Sequence, residues 1–141
     1  MSNPTYRGDI DVTEAWRRLG ADPATVLIDV RTRAEWQYVG LPDLSSLGKE
    51  VVPVEWKQFP GGTLNGGFIA EVSGRGLATD TPILLICRSG QRSRDAAIAL
   101  TAAGFEDCTN VDGGFEGNLD ADGHRGTADG WKASGLPWRQ S

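Results

Sequence analysis

The sequence predicts an α/β fold in which a parallel sheet carries helices on both faces. Three observations support this. Residues 26–30 and 82–87 are short, almost wholly apolar runs rich in Val, Ile and Leu, as strands buried on both faces are. Segments with helix-start chemistry follow each run. Clusters of Gly, Pro and Asn separate the pieces. Short strands alternating with helices point to a parallel sheet.

In chain order, Asp11 is positioned to cap a helix, with Glu14 three residues on as in a capping box. Ala15, Trp16 and Leu19 give that helix an apolar face, and Gly20 is expected to stop it. The strand at 26–30 follows. Thr32 is expected to cap a short helix over 33–38, which Gly40 and Pro42 end. A second strand is expected at 50–54. Residues 57–67 read as loop, with Pro60, Gly61, Gly62, Asn65, Gly66 and Gly67 supplying turn chemistry. A short helix over 68–72 is expected to end at Gly74 or Gly76. The strand at 82–87 leads through a polar loop to an Ala-rich helix over 93–103, closed by Gly104. A last short strand fits 108–111. The Gly-rich remainder holds a possible helical turn at 128–134 and the segment GLPW at 135–138.

Composition narrows the function. A chain of 141 residues fits one domain, 1–141, and can bury a core without metal or disulfide staples. Hydrophobic residues at 39%, with five Trp and four Phe, exclude a disordered chain. No apolar run of about 18 residues exists, so no membrane span is expected. The opening MSNPTYRGDID lacks an apolar stretch of leader length, so a cytoplasmic protein is expected. A net charge of −5 argues against nucleic acid as a partner. Two cysteines, Cys87 and Cys108, are too few for a disulfide framework, and no ligand spacing suggests zinc.

The loop CRSGQRS at 87–93 carries the chemistry. It joins the strongest strand to the strongest helix, and in open α/β sheets ligands bind beyond the carboxyl ends of the strands. The first amides of a helix have no internal partner, and the helix dipole places about half a positive charge there. Gly90 lets the backbone curl into an anion-binding nest. Arg88, Arg92 and Arg94 add formal charge. Such a setting favours the thiolate of Cys87. A nucleophile and an anion cradle therefore coincide, which suits a small oxyanion. The plainer alternative is that Cys87 packs at a strand end and the arginines form a solvated face. Two chemistries use the reactive design: phosphoryl transfer and sulfur transfer. Phosphatase loops run C-x5-R, whereas Cys87 to Arg92 is C-x4-R, a tighter ring that favours holding one extra sulfur atom. No Asp placed as general acid for a leaving alcohol is evident.

These pieces resemble the rhodanese family. The matching segments are LIDVRTRAEW at 27–36, ILLICRSGQRS at 83–93 with its helix, AGF at 103–105, NVDGGFEG at 110–117 and GLPW at 135–138, in the family's order over about 9–138. The active loop is the specific part of the match. The resemblance implies a rhodanese-like single domain, with a central parallel sheet of about five strands and helices on both faces. It implies that Cys87 is the sulfur-carrying nucleophile and that Arg88, Ser89, Gly90, Gln91, Arg92 and Ser93 bind substrate and persulfide. The implied activity moves a sulfane sulfur from thiosulfate, or a related small anion, to cyanide or a thiol. No cofactor beyond the covalent persulfide and no metal is implied. A persulfide carrier serving a protein partner and a Cys-dependent phosphatase or arsenate reductase are the alternatives. The chain departs from the family where a GHIPGA-like segment is usual: 39–48 reads VGLPDLSSLG, without His. Residues 55–67 and 118–130 also look longer than in a minimal member, and are expected to shape the pocket mouth.

The remaining candidates read mostly as structural. Asp29 is expected to end a buried strand and tie loop amides, with Arg31 paired to a carboxylate such as Glu35. Cys108 reads as packing, or less readily as a resolving thiol. Trp56 and Trp138 are candidates for lining the pocket. Residues 118–123 with Asp129 have calcium-loop spacing, but Arg125 sits at a usually apolar place and Asp129 is short for a bidentate ligand, so a surface turn is the preferred reading. His124, the one histidine, reads as a loop hydrogen-bonder.

Overall fold

The computed structural model describes residues 6–58 and 61–140. Pro60 of the expected turn cluster, residues 1–5 of the opening and Ser141 lie outside the described residues. The elements are β1 (Gly8–Ile10), α1 (Val12–Ala21), β2 (Val26–Asp29), α2 (Arg33–Tyr38), β3 (Leu41–Pro42), a 3-10 turn (Ser45–Leu47), β4 (Val52–Pro53), β5 (Lys57–Gln58), β6 (Thr63–Leu64), α3 (Phe68–Gly74), β7 (Ile83–Ile86), α4 (Gln91–Ala102), β8 (Cys108–Val111) and β9 (Trp138–Arg139).

The expected α/β architecture is present. Five strands form one sheet in the order β1-β8-β7-β2-β4, and every pairing in it is parallel. Alternation along the strands divides the core into two layers. Ile28, Ile83 and Leu85 face one side, where Phe68 and Val72 of α3 and Ala96, Ala97 and Leu100 of α4 cover them. Leu27, Leu84 and Ile86 face the other, against Val12, Ala15 and Leu19 of α1 with Phe115 and Trp131. All four residues of β7 are buried, as its uninterrupted apolar run requires.

Local chemistry accounts for the boundaries, including those that differ from expectation. Asp11 caps α1, accepting the Glu14 amide at 2.8 Å. Glu14 does not return the bond. Hydrogen bonds from Arg17 and Arg18 take its carboxylate and hold its pKa down to about 2. Gly20 does not stop the helix, which runs to Ala21. The full reciprocal capping box belongs instead to α2, between Thr32 and Glu35. The strand expected over 50–54 shrinks to β4 at the sheet edge, where Pro53, with no N–H, is tolerated. The loop at 57–67 contains the small β5–β6 hairpin. Residues 128–134 form turns, one of them closed by the Ser134 amide on the Gly130 carbonyl at 3.0 Å as in a single helical turn. β1 is an addition, because three residues are too few to show a period. It pairs in register with β8, Ile10 opposite Val111.

The chain's end is fastened across the molecule. β9 pairs antiparallel with β3, and Gly40 makes the crossing possible: a Cβ there would lie 2.7 Å from the Arg139 carbonyl oxygen. Among the described residues no helix is long and apolar enough to cross a membrane.

At the carboxyl end of β2, Asp29 and Arg31 form an ion pair with both side chains fully buried. Arg31 Nη2 donates to Asp29 Oδ2 at 2.7 Å and to the Gly40 carbonyl at 2.6 Å, and its guanidinium lies 4.3 Å from the Phe115 ring centroid. The expected partner of Arg31 was Glu35. The residue two positions back wins because Arg31 Nε also donates to Asp29 Oδ1, at 3.0 Å. Breaking such a pair strands a buried charge. Asp29→Ala is therefore expected to lose about 3–5 kcal/mol of folding free energy in urea denaturation, and replacing both partners by apolar residues to recover much of it.

Candidate active site

Cys87 follows the last residue of β7, and α4 begins four residues later at Gln91. The loop is therefore shorter than expected. Arg88, Ser89 and Gly90 bridge strand and helix, while Gln91, Arg92 and Ser93 occupy the first helical turn. Gly90 takes φ +122°, a conformation open to glycine, and turns its amide back to donate to Cys87 Sγ at 3.2 Å. Ser93 Oγ also lies 3.2 Å from Sγ. Cys87 is only 1% exposed, yet polar hydrogens meet its sulfur, unlike a cysteine that merely packs. The amides opening α4 have no acceptor within the helix and add to the donors available at the loop.

The loop is held from behind by the segment after β8. The Phe115 amide donates to the Cys87 carbonyl at 2.8 Å, and the Glu116 and Gly117 amides to the Arg88 carbonyl at 3.0 and 3.1 Å. Gly114 is the point of closest approach. A Cβ there would sit 2.5 Å from the Cys87 carbonyl oxygen and 2.6 Å from the Arg88 carbonyl group. From β8, the fully buried Asn110 accepts from Ser93 Oγ at 2.5 Å and donates to Asp9 Oδ1 at 2.9 Å. Ser93 has one hydroxyl hydrogen, so Asn110 and the sulfur compete for it.

The arginines are placed differently from the expectation. Both terminal nitrogens of Arg92 go to Glu35, at 2.6 and 2.9 Å. Burial alone would push the Glu35 carboxyl up, but Arg92, the Thr32 amide and Arg31 outweigh it and hold the pKa below the usual range. Arg94 Nε lies 3.8 Å from Asp9 Oδ1. Arg88 is exposed and makes no ion pair among the described residues. Glu35, Asn110, Asp9 and Gly114 were not singled out in the sequence as site residues. The available signals were the capping position of Glu35, a polar residue inside an apolar strand, and the Gly113–Gly114 pair.

Cys108 stands apart from the loop. Cys108 pairs in register with Ile83, four residues before Cys87, about 13 Å along the sheet. That exceeds the reach of a disulfide, and burial pushes its thiol up to about 11, so it is a packing residue. Trp56 packs edge-on against Phe68, in the layer that holds Cys87, and Trp138 packs edge-on against Phe115. Glu55 and Gln58, beside and within the hairpin, line a cleft of about 460 Å³ with Arg33, Gln37 and Tyr38, and no residue of 87–93 borders it. In the 118–129 loop, Asp120 accepts the Asp122 and His124 amides, both at 2.9 Å, and Asp129 accepts the Asn118 amide at 2.6 Å. These carboxylates organise a surface turn. Among the described residues no three His, Cys, Asp or Glu side chains converge as a metal site.

Gly114→Ala is expected to cost more than about 3 kcal/mol, combining a positive φ of 66° with a backbone clash. Gly123→Ala, at φ +79° with open space around it, should cost only about 1 kcal/mol. Thermal denaturation of the two variants checks the difference.

The chain is similar to known proteins in sequence and fold. The family described as the STR4 middle domain matches residues 8–141. An uncharacterized protein of Rickettsia conorii is 37% identical over 130 residues, covering 90% of this chain and 93% of its own. The thiosulfate sulfurtransferase GlpE of Pseudomonas savastanoi is 32% identical over 103 residues, covering 73% and 76% of the two chains. The crystal structure of Rv0390 from M. tuberculosis superposes with a TM-score of 0.88 at 53% identity, over 96% of this chain and 99% of that one. The family model runs from β1 to the end of the sequence and takes in the Cys87 loop whole, and with the similarity to GlpE it places the chain in the rhodanese-like family.

Proposed function

We propose that this protein is a sulfurtransferase that carries a sulfane sulfur as a persulfide on Cys87. The carrying observation is the Cys87 sulfur at the end of β7, met by the Gly90 amide and the Ser93 hydroxyl. In the first half-reaction the Cys87 thiolate attacks the outer sulfur of thiosulfate. The S–S bond of the donor breaks with its electron pair leaving on sulfite, and a Cys87 persulfide anion remains. In the second half, cyanide or a thiolate attacks the terminal sulfur, takes it as thiocyanate or a new persulfide, and returns the Cys87 thiolate. This is covalent ping-pong chemistry that needs no external oxidant or reductant and no cofactor.

The loop amides and Ser93 supply the hydrogen bonds that the sulfur anions need. Arg88 is the guanidinium available to a donor oxyanion, since both terminal nitrogens of Arg92 are engaged by Glu35. Burial of Cys87 supports sulfur transfer over phosphoryl transfer. A nearly enclosed sulfur is met by one terminal donor atom more easily than by a tetrahedral phosphate with three peripheral oxygens. The similarity to GlpE supports the same reading.

Incubated with thiosulfate and then desalted, the protein is expected to gain the mass of one sulfur atom. Cys87→Ser should gain none and Cys108→Ser should behave as the parent. Cyanide should strip the added sulfur and release thiocyanate. Absence of the mass gain in the parent protein overturns the proposal, and turnover of an aryl phosphate would put a phosphatase in its place. A stable persulfide that no small acceptor discharges would identify a carrier that hands sulfur to a protein partner.

A further inference from the structure

We propose that Glu35 selects the sulfur donor by charge: by neutralising Arg92 it keeps the Cys87 loop near electrical balance and favours donors of low charge over dianions. This rests on the sulfurtransferase reading.

Counted in the sequence, the loop and its helix offer three guanidiniums, Arg88, Arg92 and Arg94. Counted in the structure, two of them face carboxylates. Glu35 binds Arg92 end-on and bidentate, so that one carboxylate holds both terminal nitrogens of the guanidinium. Asp9 lies opposite Arg94. The nearby buried Arg31 is likewise cancelled by Asp29. Of these four arginines, Arg88 alone has no carboxylate partner among the described residues.

The Glu35–Arg92 pair is not a casual surface contact. Each side chain is about one-fifth exposed. Glu35 is fixed from a second direction, accepting the Thr32 amide at 3.2 Å and the Thr32 hydroxyl at 3.1 Å. A donor oxyanion that wants Arg92 must displace a carboxylate already oriented by the start of α2. One that leaves the pair intact approaches with a fixed negative charge nearby. Coulomb energy scales with the product of the charges, so Glu35 opposes a dianion about twice as strongly as a monoanion at the same place. Glu35 touches no reacting atom. It acts through Arg92 and through the field at the loop, which makes it a specificity-determining residue.

The test compares two donors that deliver the same outer sulfur: thiosulfate, a dianion, and an aryl thiosulfonate, a monoanion. In Glu35→Gln the ratio of kcat/KM for thiosulfate to that for the thiosulfonate should rise at least about threefold, carried mainly by KM and largest at low ionic strength. Thr32→Ala removes the helix cap but leaves both charges, and its ratio should stay at the parent value. Equal changes with both donors in Glu35→Gln, or the same shift in Thr32→Ala, overturns the inference. Should Glu35→Gln fail to fold, the parent protein decides. A balanced site predicts that its KM for thiosulfate changes less than about twofold across a tenfold range of salt, and a steep rise refutes it. Sulfur uptake by the parent, read by mass, separates the two levels. No uptake from either donor sinks the sulfurtransferase reading, whereas uptake with an unmoved ratio sinks only the role of Glu35.

Discussion

The approach of Gly114 to the backbone of Cys87 and Arg88 is the constraint on which the site depends. A reactive loop at a strand end has carbonyls as well as amides, and if the carbonyls turned inward they would repel an anion. Here the Cys87 and Arg88 carbonyls are drawn backward by the Phe115, Glu116 and Gly117 amides. Peptide groups are planar, so fixing the carbonyl side fixes where the neighbouring amides point. Only a residue without a Cβ lets the two backbones come this close. The 113–117 segment is therefore the mould in which the loop is cast. Its own position follows from β8, which pairs with both β7 and β1.

Charge at the site follows a second rule: nearly every cation has been given a partner. Asp29 serves Arg31, Glu35 serves Arg92 and Asp9 faces Arg94. Arg92 and Glu35 come from elements 57 residues apart in sequence, so their bond also ties α2 to the first turn of α4. Above the ordinary carboxylate range the pair contributes to stability, because Glu35 has a lowered folded pKa. The contribution fades as pH falls through that lowered value.

Much of the fold was legible in the sequence because it rests on local signals. The Thr32 cap of α2 and the 108–111 strand state their own boundaries, and the 82–87 run is a strand one residue shorter at each end. What was illegible depends on partners distant in the chain. β1 is three residues whose identity as a strand comes from β8, and β3 exists because β9 returns to it. At the site, CRSGQRS names Cys87 and its loop by itself. The expected roles of Arg92 and Arg31 changed because a count of charges does not show which carboxylate stands nearest. Glu35 was noticed only as a possible partner of Arg31, and Asn110 only as part of a motif.

The distribution of buried polar groups argues that the carboxyl end of the sheet is shaped by something other than stability. Asp29, Arg31, Ser93 and Asn110 are all fully buried, and all lie at or next to that end. Burying an ion pair gains little over apolar residues of the same volume, and each polar group must be satisfied or it costs free energy. The rest of β7 and β2 shows the alternative, filled with Ile and Leu. A chain tuned only to fold would continue that pattern to the strand ends. Instead these four polar groups gather at the end of the sheet that holds one sulfur, while the buried Thr25 and Thr109 lie away from it. Asp29 and Arg31 brace the neighbouring strand end, while Ser93 and Asn110 stand beneath the loop. Departures from the apolar rule are expected where function is placed, and here they converge on Cys87.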